Sequence, residues 1–482
     1  MTALGLDGWQ WLAVFQRELL LFAGVFFLLG ALDDLAVDLC WFWLKCRGRV
    51  RDAIVDRERL RGDRLTGPTA VMIPAWDEAL VLPITIAHIL RAWPQENLHL
   101  YIGVYNNDPA TKAAAQKGAA GDPRVRIVTI DVPGPSTKAD CLNRLFTVLC
   151  EDEARRGEQF AALVFHDAED LVDPAGLGLL DRAIADGADF AQLPVEPLPQ
   201  SGRNWLGSHY CEEFAEAHGK AMVVRGALGA TLPAAGVGCA VARPMFDLLC
   251  ERRGADVPFE PHSLTEDYEL GLAVGQLGGT CRFIRARGQD AALVATRAYF
   301  PGRLENIVRQ KTRWVHGIAL QGWDRTGWTG GILEAWMRLR DRRGPLSALV
   351  LLAGYALLFL TLMGWGASAF GAAEPAPLSS VVLVLLFANL AFFVWRAAMR
   401  FAFTTREYGW REGLRAILRI PIANIIAIMS GWRAVKEYAR DLGGQVAQWD
   451  KTDHDSHPAG STAMSQGWFD DIRSEPVRAS GP

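Results

Sequence analysis

Eight cysteines are spread over 482 residues with no CxxC pair and no metal-ligand spacing. That excludes a thiolate zinc site and argues against a disulfide framework; reduced thiols in a cytosol-facing domain fit better. Charge of one sign is equally scarce. Fifty Lys and Arg stand against 54 Asp and Glu, a formal charge of −4, so no basic surface offers itself to nucleic acid. A small-residue cleavage site is missing from the first apolar stretch, Leu19–Trp43, which is also too long for a removable signal peptide. What the sequence does have is apolar mass: half of its residues are hydrophobic, gathered in runs too long for a simple soluble chain.

Three runs can lie in a bilayer. Leu19–Trp43 is interrupted by Asp33, Asp34 and Asp38, and its second half is expected to lie along the interface. Ser347–Phe370 and Leu378–Ala397 carry no charge until the end and have the length, about 20 residues, that a spanning helix needs. Arg338, Arg340, Arg342 and Arg343 precede this pair, and Arg396, Arg400, Arg406, Arg411, Arg415 and Arg419 follow it. The joining GAAEPAP holds Glu374 and no cation, while Lys45, Arg47, Arg49 and Arg51 follow the first run. The positive-inside rule then puts every basic flank in the cytoplasm. The expected organisation is a membrane segment over 1–45, a cytoplasmic domain over 46–345 and two transmembrane helices over 346–400. Interfacial amphipathic helices follow over 401–449, and a disordered polar tail over 450–482. Ile417–Trp432, broken by Arg419, Pro421 and Asn424, is the core of the interfacial part, with a short re-entrant segment as the alternative.

Inside the cytoplasmic part, the strand-like runs 69–74, 100–106, 125–130, 162–167 and 190–195 alternate with helical patterns such as Leu82–Ala92 and Lys138–Arg155. Such alternation predicts an α/β fold with a mostly parallel sheet, whose ligands bind beyond the carboxyl ends of the strands. Those ends read PAWDE with Asp77 and Glu78, NNDP with Asp108, and HDAED with Asp167, Glu169 and Asp170. A single Asp there is ordinarily a helix cap or turn residue. Three carboxylates within four residues repel one another unless a cation sits among them, so HDAED suggests a divalent ion open to substrate phosphates; a solvated acidic turn is the other reading. In PGPSTKADCLN, Thr137 is placed as an N-cap with Asp140 three residues on, which puts Lys138 in the first helical turn. A cation opposes the helix dipole there, and makes sense if an anion docks at the helix start.

PAWDE, NNDP, KADCLN, DAED, SLTEDYELG and QKTRW follow one another as the motifs of membrane-bound family 2 glycosyltransferases of the cellulose- and hyaluronan-synthase type do. The chain resembles that family from about residue 20 to 430, and within it the NfrB-like phage adsorption protein B branch, which carries a similar LDDL segment. The resemblance implies a GT-A-like nucleotide-diphospho-sugar transferase domain, a UDP-sugar donor and Mg²⁺ or Mn²⁺. By position it makes Glu78, Asp108, Lys138 and Asp167 nucleotide-binding, and Asp167 and Glu169 metal ligands. Glu169 stands where the family has Asp, so Asp170 is an alternative ligand. It makes Asp267, beside Glu266, the base that takes the acceptor's proton. Thr or Ser capping an acidic first turn accounts for LTEDYEL as well. Gly236 and Gly238 fall where backbone approaches the acceptor, or where a tight turn requires glycine.

QKTRWVHGIALQGW completes the pattern. Over 303–321 an apolar stripe of Leu304, Ile307, Val308, Val315 and Ile318 has Lys311 within it, which is expected to snorkel. Gln310, Arg313, Trp314 and Gly317 share the neighbouring stripe. Arg313 suits a bidentate grip on diphosphate and Trp314 an acceptor sugar ring. The resemblance implies an inverting, processive enzyme of the bacterial inner membrane that extends a surface polysaccharide and passes it outward, to an outer-membrane partner as the phage-adsorption name of the branch suggests. A UDP-N-acetylhexosamine is one candidate donor, and a growing glycan or lipid the acceptor. Two or three spans cannot enclose a sugar polymer, so a homo-oligomer or an outer-membrane export partner is expected. Transfer of one sugar to a polyprenyl phosphate, and a catalytically silent membrane scaffold, are the other readings.

Overall fold

The computed structural model describes residues 8–200, 202–371, 378–443 and 457–460. After the first long helix, α1 (Gly8–Cys46), the chain alternates strand and helix: β1 (Thr69–Ala75), α2 (Leu82–Ala92), β2 (Leu98–Tyr105), α3 (Pro109–Ala119), β3 (Val125–Ile130), α4 (Lys138–Arg156), β4 (Ala162–Phe165) and α5 (Gly176–Ala185). It continues through β5 (Phe190–Gln192), α6 (His209–Glu216), β6 (Cys239–Ala242), α7 (Glu266–Gln276) and β7 (Cys281–Phe283). The seven strands form one sheet in the order β3-β2-β1-β4-β6-β5-β7, parallel except for β6, which runs antiparallel to both neighbours. All seven residues of β1 are buried, as a central strand covered on both faces must be. One apolar core lies on the α4 side, around Tyr101, Leu145 and Phe246, and another on the α2 side, around Ile73, Ile89 and Leu177.

The C-terminal third is helical: α8 (Leu304–Val315), α9 (Ile332–Arg342), α10 (Gly344–Ala369), α11 (Ser380–Tyr408), α12 (Trp410–Leu418) and α13 (Ile420–Asp441). Among the described residues three helices, α1, α10 and α11, are long and apolar enough to cross a membrane, and the bent pair α12–α13 makes a fourth candidate if it is one broken span or a re-entrant loop. The three pack on one another with few polar contacts, among them Gln16 Nε2 to Thr361 Oγ1 at 2.9 Å and Asn389 Nδ2 to the Gly24 carbonyl at 3.0 Å. Gly24 permits that approach, since a Cβ there would stand 2.7 Å from the Leu385 side chain.

Two expectations need revision. The second half of α1 does not lie free along an interface; its three acids are spent on protein partners. Asp33 accepts from Trp336 Nε1 at 2.6 Å and Arg343 at 2.7 Å, Asp34 from Arg340 at 3.0 Å and Arg343 at 2.8 Å, and Asp38 from Trp395 Nε1 at 2.8 Å and from Lys220. Nor is 417–432 one helix on a surface. α12 and α13 meet at a 53° bend, and α13 packs between α8 and α10. Arg419 at the bend is 1% exposed and grips Glu212 at 2.8 Å and Glu412 at 2.6 Å. An arginine that looked like an interface anchor is an internal ion pair.

GAAEPAP beyond Gly371, with Glu374, and the tail expected to be disordered lie outside the described residues, apart from 457–460. Those four rest on α2, with His457 buried and its Nε2 3.4 Å from the Asp170 carbonyl.

Candidate active site

The carboxyl ends of β1 and β4 are neighbours, so the segments after them, Trp76–Glu78 and His166–Asp170, meet at one edge of the sheet. Antiparallel β6 brings its beginning to that same edge, which is why Ala235 and Val237 join them. The first turns of α4 and α7 and one face of α8 close the cavity. Its walls include Glu78, Lys138, Asp167, Glu169, Glu266 and Asp267, with Gln310, Arg313 and Trp314.

Lys138 is the centre of the charge. Thr137 caps α4, its Oγ1 accepting from the Asp140 N–H at 3.0 Å, so Lys138 is held in the first turn as the sequence predicts. Its Nζ lies 2.6 Å from Asp167 Oδ1 and 3.9 Å from Glu266 Oε1. Burial opposes its charge, but Asp167, Glu266 and Asp267 outweigh that and hold the ammonium's pKa above its ordinary value. The acids respond in turn. Burial, then repulsion from Asp267, pushes Glu266 up to about 7 against the pull of Lys138, and burial raises Asp267 as well. Two adjacent carboxyls of this kind titrate as a pair. Thr265 occupies the N-cap of α7 but its side chain makes no capping bond. Asp267 Oδ1 instead accepts from the Tyr268 N–H at 2.7 Å, while Oδ2 lies over Gly236. A Cβ at Gly236 would stand 2.5 Å from that oxygen, and the residue's φ of +80° suits glycine, so both arguments fix its identity.

α8 ends in a π-helical turn, His316–Gln321, rather than running on as one α-helix. Ile307 and Val308 are buried as expected, but Leu304 is exposed at the helix start. Lys311 does not snorkel to water: it pairs with Glu213 and lies over the rings of Tyr210 and Trp314, at 5.1 and 5.9 Å. Trp314 is set edge-on against Tyr210, Phe214 and Phe300, with centroids 5.9 to 6.5 Å apart. Phe214 and Phe300 line the cavity too, an aromatic wall no local pattern announces, because its members come from 210 to 314. Trp76 is another lining residue missed at the sequence level, packed edge-on over Tyr105 at 5.3 Å.

Not every candidate reaches the cavity. Asp108 caps α3, accepting from the Thr111 N–H at 3.1 Å and the Asp77 N–H at 2.7 Å, and is not among the lining residues. It acts on the site through the turn it ties down, where Asp77 adopts a φ of +53°. Gly238 lies behind the wall, against Thr296, and Gly317 is packed on Thr265. Asp170 does line the cavity, but its Oδ2 is engaged, accepting from His166 Nδ1 at 2.8 Å and the Asp167 N–H at 3.0 Å. Asp167, its side chain 34% exposed, and Glu169 remain as carboxylates facing the cavity. Among the described residues no cluster of three His, Cys, Asp or Glu could hold a metal unaided. Two hard oxygen donors beside open space do fit Mg²⁺ or Mn²⁺ completed by phosphate oxygens.

The model of the family "Glycosyltransferase like family 2" matches residues 67–317, more than half of the chain and all of the sheet. Bacteriophage adsorption protein B of Escherichia coli K12 is 31% identical over 458 residues, as is bacteriophage N4 adsorption protein B of E. coli O157:H7. The match takes in 89% of this chain, which spans 61% of the length of either relative. Among solved structures, the mannosyltransferase PcManGT from Pyrobaculum calidifontis, in complex with GDP-Man and Mn²⁺, superposes with a TM-score of 0.50 at 16% identity, covering 84% of this chain and 98% of that one. That likeness speaks for the GT-A-like fold. With its sheet, its long apolar helices and its strand-end acids, the chain belongs to the family 2 glycosyltransferases.

Proposed function

We propose that this enzyme transfers sugar from a UDP-sugar, with inversion, to a growing glycan that leaves through the bacterial inner membrane, with its catalytic domain in the cytoplasm. The observation that carries the reading is the convergence of Lys138, Asp167, Glu266 and Asp267 with Gln310, Arg313 and Trp314 around one cavity. An acceptor hydroxyl attacks the anomeric carbon; the new C–O bond forms as the bond to the diphosphate breaks, and UDP leaves with the electron pair. The hydroxyl proton passes to Asp267, with Glu266 as its coupled neighbour, and pKa values raised toward neutrality suit that task. Lys138 and Arg313 offer cations to the diphosphate. Trp314, braced by Phe214 and Phe300, offers a flat wall to the acceptor ring. Asp167 and Glu169 would hold a divalent ion, which supplies charge neutralisation for the departing diphosphate when bound.

Processive extension of an exported surface polysaccharide is supported by the QxxRW stripe and by the helices that follow it. The relatives' names, which concern phage adsorption, agree with a product displayed at the cell surface. The three or four candidate spans among the described residues are too few to enclose a polymer, so a second copy or an outer-membrane export partner belongs to the reading.

The test is UDP release by the purified protein in nanodiscs from a panel of UDP-sugars, with Mg²⁺, Mn²⁺ or EDTA, beside Asp267→Asn. GDP-mannose belongs in the panel because the mannosyltransferase that shares the fold is in complex with GDP-Man. Metal-dependent turnover of one UDP-sugar that Asp267→Asn loses supports the reading, and long products on sizing gels support processivity. Turnover of GDP-mannose alone would refute the UDP assignment, and a single-sugar polyprenyl product the processive one.

A further inference from the structure

At the far end of α7 from Glu266 and Asp267 lies a second cavity, of about 670 Å³, lined by Thr231, Arg252, Gln276, Gly278, Glu334 and Arg338. The helix from Asp267 to Gly275, roughly 12 Å of rise, separates it from the catalytic acids. Arg338 is wholly buried. Its Nη1 donates to the carbonyls of Thr326 and Gly327, both at 2.8 Å, but its Nε has no partner and no carboxylate pairs with it among the described residues. The acids nearby are already committed. Glu334 accepts from the Thr231 N–H and Oγ1, both at 2.6 Å, and Asp341 from Arg225 at 2.8 Å and the Tyr268 hydroxyl at 3.1 Å.

One turn on, Arg342 leaves Nε and Nη1 without partners and lies over the indoles of Trp328 and Trp323, at 4.8 and 5.8 Å. Burial, then repulsion from Arg342, lowers the pKa of Arg338. Glu334 attracts Arg338 from a distance, but a buried guanidinium with an unmade hydrogen bond and no directly paired carboxylate is unfavourable unless a ligand supplies the anion. Arg252 adds an exposed cation at the rim, held by Gln276.

We propose that this cavity is a second ligand site, separate from the transfer site, that binds a phosphate group through Arg338 with Arg252 at its mouth. The phosphate belongs either to an anionic lipid headgroup or to a soluble phosphate compound. The surroundings place it beside the bilayer: Trp323, Trp328, Ile332 and Leu339 are exposed, and α9 runs directly into the span α10. The inference does not depend on which sugar the enzyme uses.

Melting of the full chain tests it, in nanodiscs of phosphatidylcholine alone, the same discs with inorganic phosphate, and discs containing phosphatidylglycerol. A saturated site raises Tm by roughly 5 °C. A rise with phosphatidylglycerol only assigns a lipid headgroup; a rise with inorganic phosphate assigns a soluble ligand. In either case Arg338→Gln removes the increment. Since Arg338 is buried and its replacement can cost folding, Arg252→Glu at the exposed rim is the second variant, expected to remove most of the increment while melting normally in phosphatidylcholine. No rise from either source, or a rise that survives both substitutions, overturns the proposal.

Discussion

At the scale of single residues, the acids of α7 set the chemistry of the proposed reaction. Asp267→Asn keeps the shape of the side chain and removes its basicity, so turnover should fall about 10³-fold while the donor's binding constant stays near its wild-type value. Because Glu266 is pushed up to about 7, the pair carries a proton below that pH and loses it above. The rate should therefore climb as pH rises through 7, and Glu266→Gln should flatten that limb of the profile. Gly236→Ala puts a methyl group against the Asp267 carboxylate at a backbone angle alanine resists, so it should cost at least 1 kcal/mol in melting experiments and depress kcat together with stability. His88 gives a pH effect of the other kind. Burial lowers its pKa from 6.5 to about 4, and its Nε2 donates to the Val172 carbonyl at 2.9 Å. The unfolded chain takes the proton first, so stability should fall as pH drops from 6.5 to 4, by about 3 kcal/mol for this residue, and level off below. A Tm–pH curve that shows the same acid slope in His88→Gln would contradict that. The positions of Thr137 and Lys138 were legible from the sequence because a cap and its helix are local. The cap at Asp108 was legible for the same reason; its absence from the cavity wall was not, since caps and ligands draw on the same residue types.

At the scale of elements, the periodic segments could be read closely. Leu82–Ala92 and Val125–Ile130 carry their pattern within themselves, and both appear with the predicted bounds. The π-helical turn after Val315 could not be read, whereas the break near Arg419 had a local signal in Pro421, which stands in the first turn of α13. Arg419 looked like a surface anchor since its acids, Glu212 and Glu412, are contributed by α6 and α12. Removing one member of a pair that is 1% and 0% exposed leaves an uncompensated buried charge, so Arg419→Ala should cost about 3–5 kcal/mol. Its measure is the Tm in nanodiscs. A surface arginine such as Arg411 replaced in the same way should change it little.

At the scale of the whole molecule, an α/β transferase domain stands on three apolar helices, and the site faces the elements that lead into them. Stripping divalent ions with EDTA should abolish sugar transfer, and Mn²⁺ or Mg²⁺ should restore it; melting without donor should hardly move, because the proposed ion is completed by the donor's phosphate oxygens. The tie between Asp34 and Arg340 spans 306 residues of sequence. At 5–20 residues per second that is roughly 15–60 s of synthesis. For that interval the acids at the foot of α1 have none of their α9 partners, and the first span must wait in the bilayer until the transferase domain has been made. Assembly therefore has a built-in order: late-made arginines close a joint that the earliest helix has held open, and a chain cut short before α9 leaves Asp33 and Asp34 unanswered while Asp38 already has Lys220.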